Sequence, residues 1–373
     1  MASKLQPRRI REARMFRGLT QSDLAEIIGI TKQAVSQCET GVMTPSAETL
    51  IGISKALDFP LAFFSRPFAS PILAPIFFRK RKTAAKKIMF VFQTYIEWMA
   101  EIYEYVEQHV RLPEVRLITE DRFGYPPEEI SRIATELRRH WGLGDGPISD
   151  MTLLLENNGF VISKVGLDAS KVDACSVFYT PLSASKRPMV FLTSGTSAVR
   201  SRRDLAHELG HQVLHAWMDD EEFEAHKDVI EQDAETFASF FLMPEKAMRR
   251  EGFAVKTLDS LLLMKQRWGA SAQSILYHLI QTESIEQEIG ERLKKNLYHR
   301  GWRMREPGDD SIPQERPEMI RDAMMLLIEN DVKTRSALLD DLSIPAANVC
   351  ELCGFPNDFF EPHSTRPALS LVK

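Results

Sequence analysis

Two histidines and a glutamate near the middle of the chain have a spacing that predicts specific chemistry. His207 and His211 are four residues apart, and Glu208 follows the first of them, in the pattern HExxH. On a helix, residues four apart share one face, so both imidazoles can hold one zinc ion. Glu208 can then take a proton from a water that the ion makes acidic, and that water can attack a carbonyl. The pattern predicts a peptidase with one Zn²⁺.

A second segment, which begins at Glu231 and reads EQDAETFA, can complete such a site. Its apolar residues recur at helical spacing, which predicts an amphipathic helix with Glu231 and Glu235 on one face. Catalytic zinc usually takes three protein ligands, so one carboxylate can be the third ligand while the other orients a ligand histidine. The alternative is that both carboxylates only form the solvated face of a helix.

His215 continues the series of histidines on the face of the first helix. It can be a fourth ligand, or it can support a ligand. Three residues on one straight helix cannot easily surround an ion, and no glycine is present at position 214, which is leucine, to turn the chain. We therefore expect His215 to have a supporting role.

The composition limits the class of protein. The chain has 373 residues, with 44% hydrophobic and 27% charged residues, which is typical of a globular protein of two or three domains. No stretch resembles a membrane span, and the N-terminus lacks the apolar core of a signal peptide. The four cysteines do not make a disulfide framework. These features predict a cytoplasmic protein without a membrane partner.

Charge is unevenly distributed along the chain. Residues 1–87 contain 15 Lys and Arg against 6 Asp and Glu, whereas the remainder contains 32 against 46. A basic region joined to an acidic body suggests a module that binds a polyanion such as DNA.

Two short helices separated by a tight turn are predicted inside the basic region. Thr20, with Asp23 three residues later, can cap the first helix, and Gly29 closes it. Thr31 caps the second helix, which ends at Gly41. The residues expected to pack inward are Leu24, Ala25, Ile28, Ile30, Val35 and Cys38. This arrangement is that of a helix-turn-helix.

The second helix would lie in the major groove of a double-stranded DNA operator. The predicted DNA-binding residues are Gln21, Thr31, Lys32, Gln33, Ser36 and Gln37. Glutamine and lysine can read base edges, whereas Gln21 is placed for a phosphate. The arginines at positions 8, 9, 11 and 14 are expected to add charge towards the DNA backbone. We predict a homodimer on an inverted repeat. The alternative is a helical domain used only for dimerisation or protein contact.

The pattern also predicts a long helix at Ile88–Val110 and short strands at Phe160–Val165, Ala174–Thr180 and Met189–Thr193. These strands could form an edge to which an extended peptide adds as a further strand. The run from Phe77 to Lys82 is a basic patch that either touches DNA flanks or begins a solvated helix.

The region from 257 to the end has mostly helical spacing, and no internal repeat is evident. It contains Cys350 and Cys353, which could form half of a zinc site, with His363 nearby, or a redox pair. Ordinary buried helix residues are the simpler interpretation.

These motifs resemble two known families. Residues 8–64, through LTQSDLAEIIGITKQAVSQCETG and TPSAETLIGISKALDFPLAFF, are similar to the XRE (Cro/CI-type) helix-turn-helix family. Residues from about 130 to 250 are similar to the ImmA/IrrE metallopeptidase family, through IATELRRHWGLGDGPISDMTLLLENNGFVI, PMVFLTSG, RRDLAHELGHQVLH and EQDAETFASFFLMP.

The second resemblance implies a gluzincin-like fold with a small sheet beside the active-site helix. It places the metal ligands at His207, His211 and Glu231 and the catalytic carboxylate at Glu208. The family often has Asn where this chain has Glu235, which leaves Glu235 as a competing ligand or a changed supporting residue. Stand-alone members cleave helix-turn-helix repressors, whereas fused members are mostly regarded as transcriptional regulators.

We therefore expect a mainly α protein with a small β-sheet, an α+β fold. Its predicted parts are a five-helix helix-turn-helix domain at 1–68, a basic linker and connecting helix at 69–125, a zinc metallopeptidase domain at 126–255 and a helical C-terminal region at 256–373. Three functions remain open. The chain can be a DNA-binding regulator whose peptidase domain senses a signal, an active metalloendopeptidase that cuts a repressor or antitoxin-like protein, or a catalytically dead scaffold on DNA.

Overall fold

The structure is a computed structural model and describes residues 4–68, 77–80, 86–166, 172–179, 186–302 and 305–361. It confirms a mainly α fold with a small sheet. The first helices are α1 (Pro7–Phe16), α2 (Gln21–Ile28), α3 (Lys32–Thr40), α4 (Ala47–Leu57), a 3-10 helix (Leu61–Ser65), α5 (Lys86–Glu107), α6 (Pro127–His140) and α7 (Met151–Asn157). The strands are β1 (Phe77–Lys80), β2 (Val161–Val165), β3 (Val172–Tyr179) and β4 (Arg187–Thr193).

The remaining helices follow the sheet. They are α8 (Ala198–Leu214), α9 (Asp220–Ala225), α10 (Lys227–Leu242), α11 (Glu245–Gly252), α12 (Leu258–Trp268), α13 (Ala272–Gln281), α14 (Gln287–His299), α15 (Met319–Glu329), α16 (Arg335–Leu342) and α17 (Ala346–Cys353), with a 3-10 helix at Asp309–Ser311. The side chains of the basic patch at 77–82, together with Thr180 and His363, lie outside the described residues.

The chain packs into two compact units. The first contains residues 1–69, 85–110 and 320–373, and the second contains residues 70–84 and 111–319. The two units are defined by which residues pack together. They do not test the boundaries of the four domains predicted from the sequence, which stay a prediction.

The helix-turn-helix in the first unit forms from the predicted local signals. Thr20 and Asp23 make a reciprocal capping box at the start of α2, and Gly29 ends it in the left-handed region with a φ of 70°. Thr31 accepts a hydrogen bond from the Ala34 amide at the start of α3. Leu24, Val35 and Cys38 are fully buried between the helices, as predicted.

Helix α5 is the central element of the first unit. Trp98 lies among the rings of Phe16, Phe59, Phe63 and Tyr95, and its indole N–H donates to Glu12 of α1 at 2.8 Å. On the C-terminal helices, Tyr95 donates to Glu351 at 2.6 Å and Tyr105 donates to Asp341 at 2.8 Å. The chain end at α15–α17 is therefore part of the unit that carries the DNA-binding helices.

Helices α16 and α17 repeat the local plan of α2 and α3. Thr334 caps α16 by accepting from Ala337, as Thr20 and Thr31 cap the first pair. Ser343 ends α16 in the left-handed region, with a φ of 52°, and Gly354 ends α17 likewise. The two helix pairs share few identical residues, so no internal repeat is evident in the sequence.

The sheet in the second unit has the strand order β1-β3-β4-β2. Strand β2 runs parallel to β4, whereas β1 and β3, and β3 and β4, are antiparallel. The three strands predicted from the sequence are present, with slightly shifted ends. All seven residues of β4 are buried, and α8 packs against β3 and β4.

Helices α8 and α10 pack closely where α8 carries a glycine. A Cβ atom at Gly210 would lie 3.1 Å from the Cα and the carbonyl oxygen of Ala234. Only a residue without a side chain lets the two backbones approach this closely. The close approach brings the histidines of α8 near the acidic residues of α10.

Candidate metal centre and DNA-binding surface

Three predicted ligand side chains converge between α8 and α10. The Nε2 atoms of His207 and His211 are 3.1 Å apart. Glu231 places one oxygen 3.4 Å from His207 Nε2 and the other 3.7 Å from His211 Nε2. Two ligand atoms bound at about 2.0–2.1 Å to a tetrahedral zinc ion lie about 3.4 Å apart. The three residues therefore fit one metal ion with only small movements, and they form a group that could hold it.

His211 is oriented from behind by His215 and Asp233. The Nδ1 atoms of His211 and His215 are 3.2 Å apart, and His215 Nε2 is 3.8 Å from the Asp233 carboxylate. Asp233 is itself fixed by the Gly124 amide, which donates to it at 2.7 Å. Burial lowers the pKa of His215, although Asp233 acts in the opposite direction. His215 is thus placed behind a ligand rather than beside the three ligand atoms.

Glu235 lies on the other side of His207. Its Oε2 is 3.4 Å from His207 Nδ1, whereas Glu231 faces His207 Nε2. Arg203 forms an ion pair with Glu235 and donates to Ser274 of α13 at 2.7 Å. Glu235 is therefore in the position of a group that orients His207, and it is not a member of the three-residue group.

The predicted catalytic carboxylate is held by the sheet. Ser176 of β3 donates from its hydroxyl to Glu208 Oε2 at 2.5 Å, and Glu208 is only 1% exposed. Burial and the nearby Glu208 raise the pKa of the Cys175 thiol, the neighbour of Ser176. Glu231 keeps 25% of its side chain exposed, so the centre reaches solvent on the α10 side.

A cavity of about 580 Å³ lies beside the centre, between α8, α10 and α13. Arg203 and Glu235 line it, together with Tyr277 and His278. Burial lowers the pKa of His278 to about 4, so this ring is neutral near pH 7. The cavity is one turn of α8 away from the ligand histidines.

Sequence reasoning did not identify Ser176, Asp233 or Arg203 as residues of the site. Arg203 lies four residues before His207, so helical spacing could have indicated it. Asp233 lies only two residues after Glu231 and therefore on a different face of α10, where spacing gives no such signal. Ser176 has no such signal, because its position depends on how β3 packs against α8.

The exposed face of α3 carries the predicted base-reading residues. Thr31, Lys32 and Gln33 are exposed, and Ser36 and Gln37 are half-buried on the same helix. The Thr31 hydroxyl is used as a helix cap, so its part in DNA contact stays a prediction. These polar side chains stay the predicted residues for contact with a major groove.

Two arginines do not supply the surface charge expected of them. Arg9 is fully buried and pairs with Glu12 and Glu101, and Arg14 is buried and pairs with Glu39. Glu39 also accepts from the Gln21 amide at 2.8 Å. The expectation for Arg9 and Arg14 was wrong because packing against α3 and α5 encloses them. Arg8 keeps 67% of its side chain exposed.

The CxxC pair of α17 is buried in the first unit. Cys350 and Cys353 are 0% and 3% exposed and are free thiols, and burial raises the pKa of both. Within the described part of the chain, they belong to no group of possible metal ligands. No described helix has the length and apolar character that crossing a bilayer requires.

Two family models match parts of the chain. Residues 10–64 match a helix-turn-helix model, and residues 161–279 match the IrrE N-terminal-like domain. No curated protein matches the chain. A crystal structure of Bacillus thuringiensis PlcR in complex with the peptide PapR7 and DNA is 15% identical, covers 91% of this chain and 99% of its own, and has a TM-score of 0.16. A TM-score this low carries no argument about fold or function.

The chain therefore joins an XRE-type helix-turn-helix domain to an IrrE/ImmA-like domain, and the predicted fusion is confirmed. The two domains support a DNA-binding regulator that carries a peptidase-like domain.

Proposed function

We propose that this regulator is also a zinc-dependent endopeptidase that cleaves a protein partner. The observation that carries the proposal is the convergence of His207, His211 and Glu231 at distances that suit one zinc ion. Glu208, on the same helix, supplies the carboxylate that such chemistry requires. A scaffold without activity would have no need for these four residues in one place.

Each residue has a distinct task in the proposed reaction. A zinc ion, when bound, supplies a Lewis acid that polarises the scissile carbonyl and makes water acidic at neutral pH. Glu208 takes the proton of the attacking water and passes it to the leaving amine. Ser176 holds one oxygen of Glu208, which restricts the carboxylate to one orientation. Glu235 and His215 fix the two ligand imidazoles.

The partner we propose is a repressor with a helix-turn-helix, or an antitoxin-like protein, because the related stand-alone enzymes cut such proteins. We further propose that the chain binds its operator as a homodimer on an inverted repeat. In this scheme α3 selects the locus, and the second unit acts on a protein there. If the peptidase does not turn over, the same metal centre would instead serve as a sensor.

The test joins a metal measurement to a proteolysis assay. Zinc-loaded wild-type protein and the Glu208→Gln variant are each incubated with the helix-turn-helix protein encoded by a neighbouring gene. We expect both proteins to contain one zinc ion per chain and only the wild type to cleave. Equal cleavage by both proteins would show that Glu208 is not the catalytic base. Absence of cleavage by either protein would contradict the peptidase function and leave the sensor as the proposed role of the metal centre.

A further inference from the structure

The outer edge of β3 lies next to the proposed catalytic centre. Strand β4 pairs with one side of β3, in a register that sets Ser176 opposite Val190. Ser176 is also the residue that holds Glu208. A peptide bound as an additional strand on the opposite side of β3 would therefore pass close to the catalytic carboxylate.

The chain itself occupies this edge. Strand β1 is antiparallel to β3, with Phe77 opposite Ser176 and Phe78 opposite Cys175. The register shifts between Phe78 and Lys80, where Lys80 faces Val172. In the strand order β1-β3-β4-β2, β1 is the terminal strand, so four residues complete the sheet where a substrate would add.

We propose that residues 77–80 act as an intramolecular inhibitor by occupying the outer edge of β3, to which an extended peptide substrate would otherwise add. The inference rests on the proposed peptidase function and adds a control of that function. Cleavage then requires β1 to leave the edge, because a peptide cannot form the same backbone hydrogen bonds while β1 is paired there.

The connectivity of the chain gives this arrangement a regulatory meaning. Residues 70–84 belong to the second unit, whereas the segments before and after them, 1–69 and 85–110, belong to the DNA-binding unit. A strand held by such short connections competes with an effective concentration on the order of millimolar. A peptide at a concentration well below this value would displace β1 only weakly.

The occupant also indicates the class of peptide that fits. Its sequence, Phe-Phe-Arg-Lys, combines two aromatic residues of high β propensity with two basic residues. The segment reads as a basic patch in the sequence, but its backbone forms a strand in the sheet. We expect the substrate to present an extended segment that begins with aromatic or β-branched residues.

A disulfide lock tests the pairing directly. Residues opposite each other in an antiparallel pair have Cα atoms about 4.5–5.5 Å apart, which lies within the range that a disulfide spans. Phe78→Cys should therefore cross-link to the native Cys175 under mild oxidation. Phe77→Cys is the matched control, because Phe77 lies opposite Ser176 in the regular part of the pairing and adjacent residues of a strand point to opposite faces. Failure of Phe78→Cys to cross-link, or equal cross-linking by Phe77→Cys, would overturn the proposed register.

Peptide binding then tests the function of the edge. The probe is a fluorescein-labelled peptide with the sequence IFFRKR, which corresponds to residues 76–81, and anisotropy reports its binding to zinc-free protein. A variant with residues 77–80 replaced by Gly-Ser-Gly-Ser should bind the peptide at least about tenfold more tightly than the wild type. The oxidised Phe78→Cys protein should not bind it, and reduction should restore binding. Equal affinity in all these forms would overturn the inference.

Two controls separate this result from other causes. Arg79→Gln with Lys80→Gln removes the charge but keeps β1, so it should bind the peptide like the wild type. If it instead binds like the Gly-Ser variant, charge and not strand pairing controls the edge, and the inference fails. Because the assay needs neither zinc nor Glu208, its outcome is independent of whether the peptidase turns over. The disulfide comparison stands even if the Gly-Ser variant fails to fold.

Discussion

The candidate metal centre and the predicted DNA-binding surface both depend on a pair of packed helices, but they use the pair in opposite ways. Helix α8 buries His207, Glu208 and His211 against α10, and β3 contributes a further contact to Glu208. Helix α3 packs against α2 through one face and exposes its other face to solvent. In the buried centre each side chain is positioned by several others, whereas each exposed side chain acts nearly independently. Substitutions should therefore be coupled in the centre and additive on the surface.

The largest expected effect distinguishes the two carboxylates of α10. Glu231→Ala removes a proposed ligand and should weaken zinc affinity more than the loss of about 10- to 100-fold expected for Glu235→Ala, which removes only an orienting group. Competition with a chromophoric chelator measures both affinities. DNA binding by either variant should match the wild type. Equal losses of zinc affinity would show that both carboxylates bind the metal or that neither does.

A substitution without any polar chemistry should also disturb the centre. Gly210→Ala places a methyl group 3.1 Å from the backbone of Ala234, so α8 and α10 must separate. We expect a destabilisation of about 1–3 kcal/mol and weaker zinc binding. Thermal unfolding with and without zinc reports both changes. Gly144→Ala, at a position with open space, is the matched control. Unchanged zinc affinity in Gly210→Ala would show that the close approach does not set the site.

On the DNA-binding surface of the protein, substitutions of two glutamines should have different kinds of effect on DNA binding. Gln33→Ala should cost about 1–3 kcal/mol on the operator and relax sequence preference, because Gln33 is exposed on α3. Gln21→Ala should weaken binding by a smaller and sequence-independent amount. Titrations against operator and random DNA at fixed salt measure both effects. Equal losses on the two DNAs for Gln33→Ala would argue against base reading.

A pH-dependent effect is expected from a buried charge in the DNA-binding unit. Burial raises the pKa of Glu12 from its ordinary 4.5 to about 7, while Arg9 and the Trp98 indole act in the opposite direction. The folded state therefore binds this proton more tightly than the unfolded chain does. The resulting contribution to stability is complete below pH 4.5 and is lost as the pH rises through 7.

Glu12→Gln should remove this pH dependence, so the difference in unfolding free energy between variant and wild type should change across that interval, by up to about 3 kcal/mol. Urea unfolding at several pH values, followed by Trp fluorescence, measures the difference. A constant difference would mean that Glu12 is ionised throughout the interval. The effect of the buried Glu12–Arg9 pair on stability would then be independent of pH over this interval, as for the exposed residues of α3.

The same contrast explains what could be predicted from the sequence. Thr20, Gly29, Thr31 and Gly41 act on their own helix ends, and the structure shows these caps as predicted. Helix and strand periodicity likewise located α8, α10 and the sheet. Local patterns carry this information because the partners are only a few residues away.

The missing parts depend on long-range packing. Arg9 reads as surface charge until α5 brings Glu101 against it. Ser176 is one polar residue in a strand until β3 lies on α8. The segment at 77–80 reads as a basic patch, and only its pairing with β3 reveals a strand. Three-dimensional contacts of this kind leave no periodic trace in the chain.

The second helix pair, α16 and α17, follows the plan of α2 and α3 but has a different surface. Position for position, Lys32 and Gln33 are replaced by Ala346 and Ala347, and much of α17 is buried. Helices α16 and α17 therefore follow the local plan of the DNA-binding helix pair but lack the polar side chains that could contact bases. Because only α3 carries such side chains, each chain should bind a single operator half-site. Titration of a long DNA duplex should then saturate at one polypeptide per half-site.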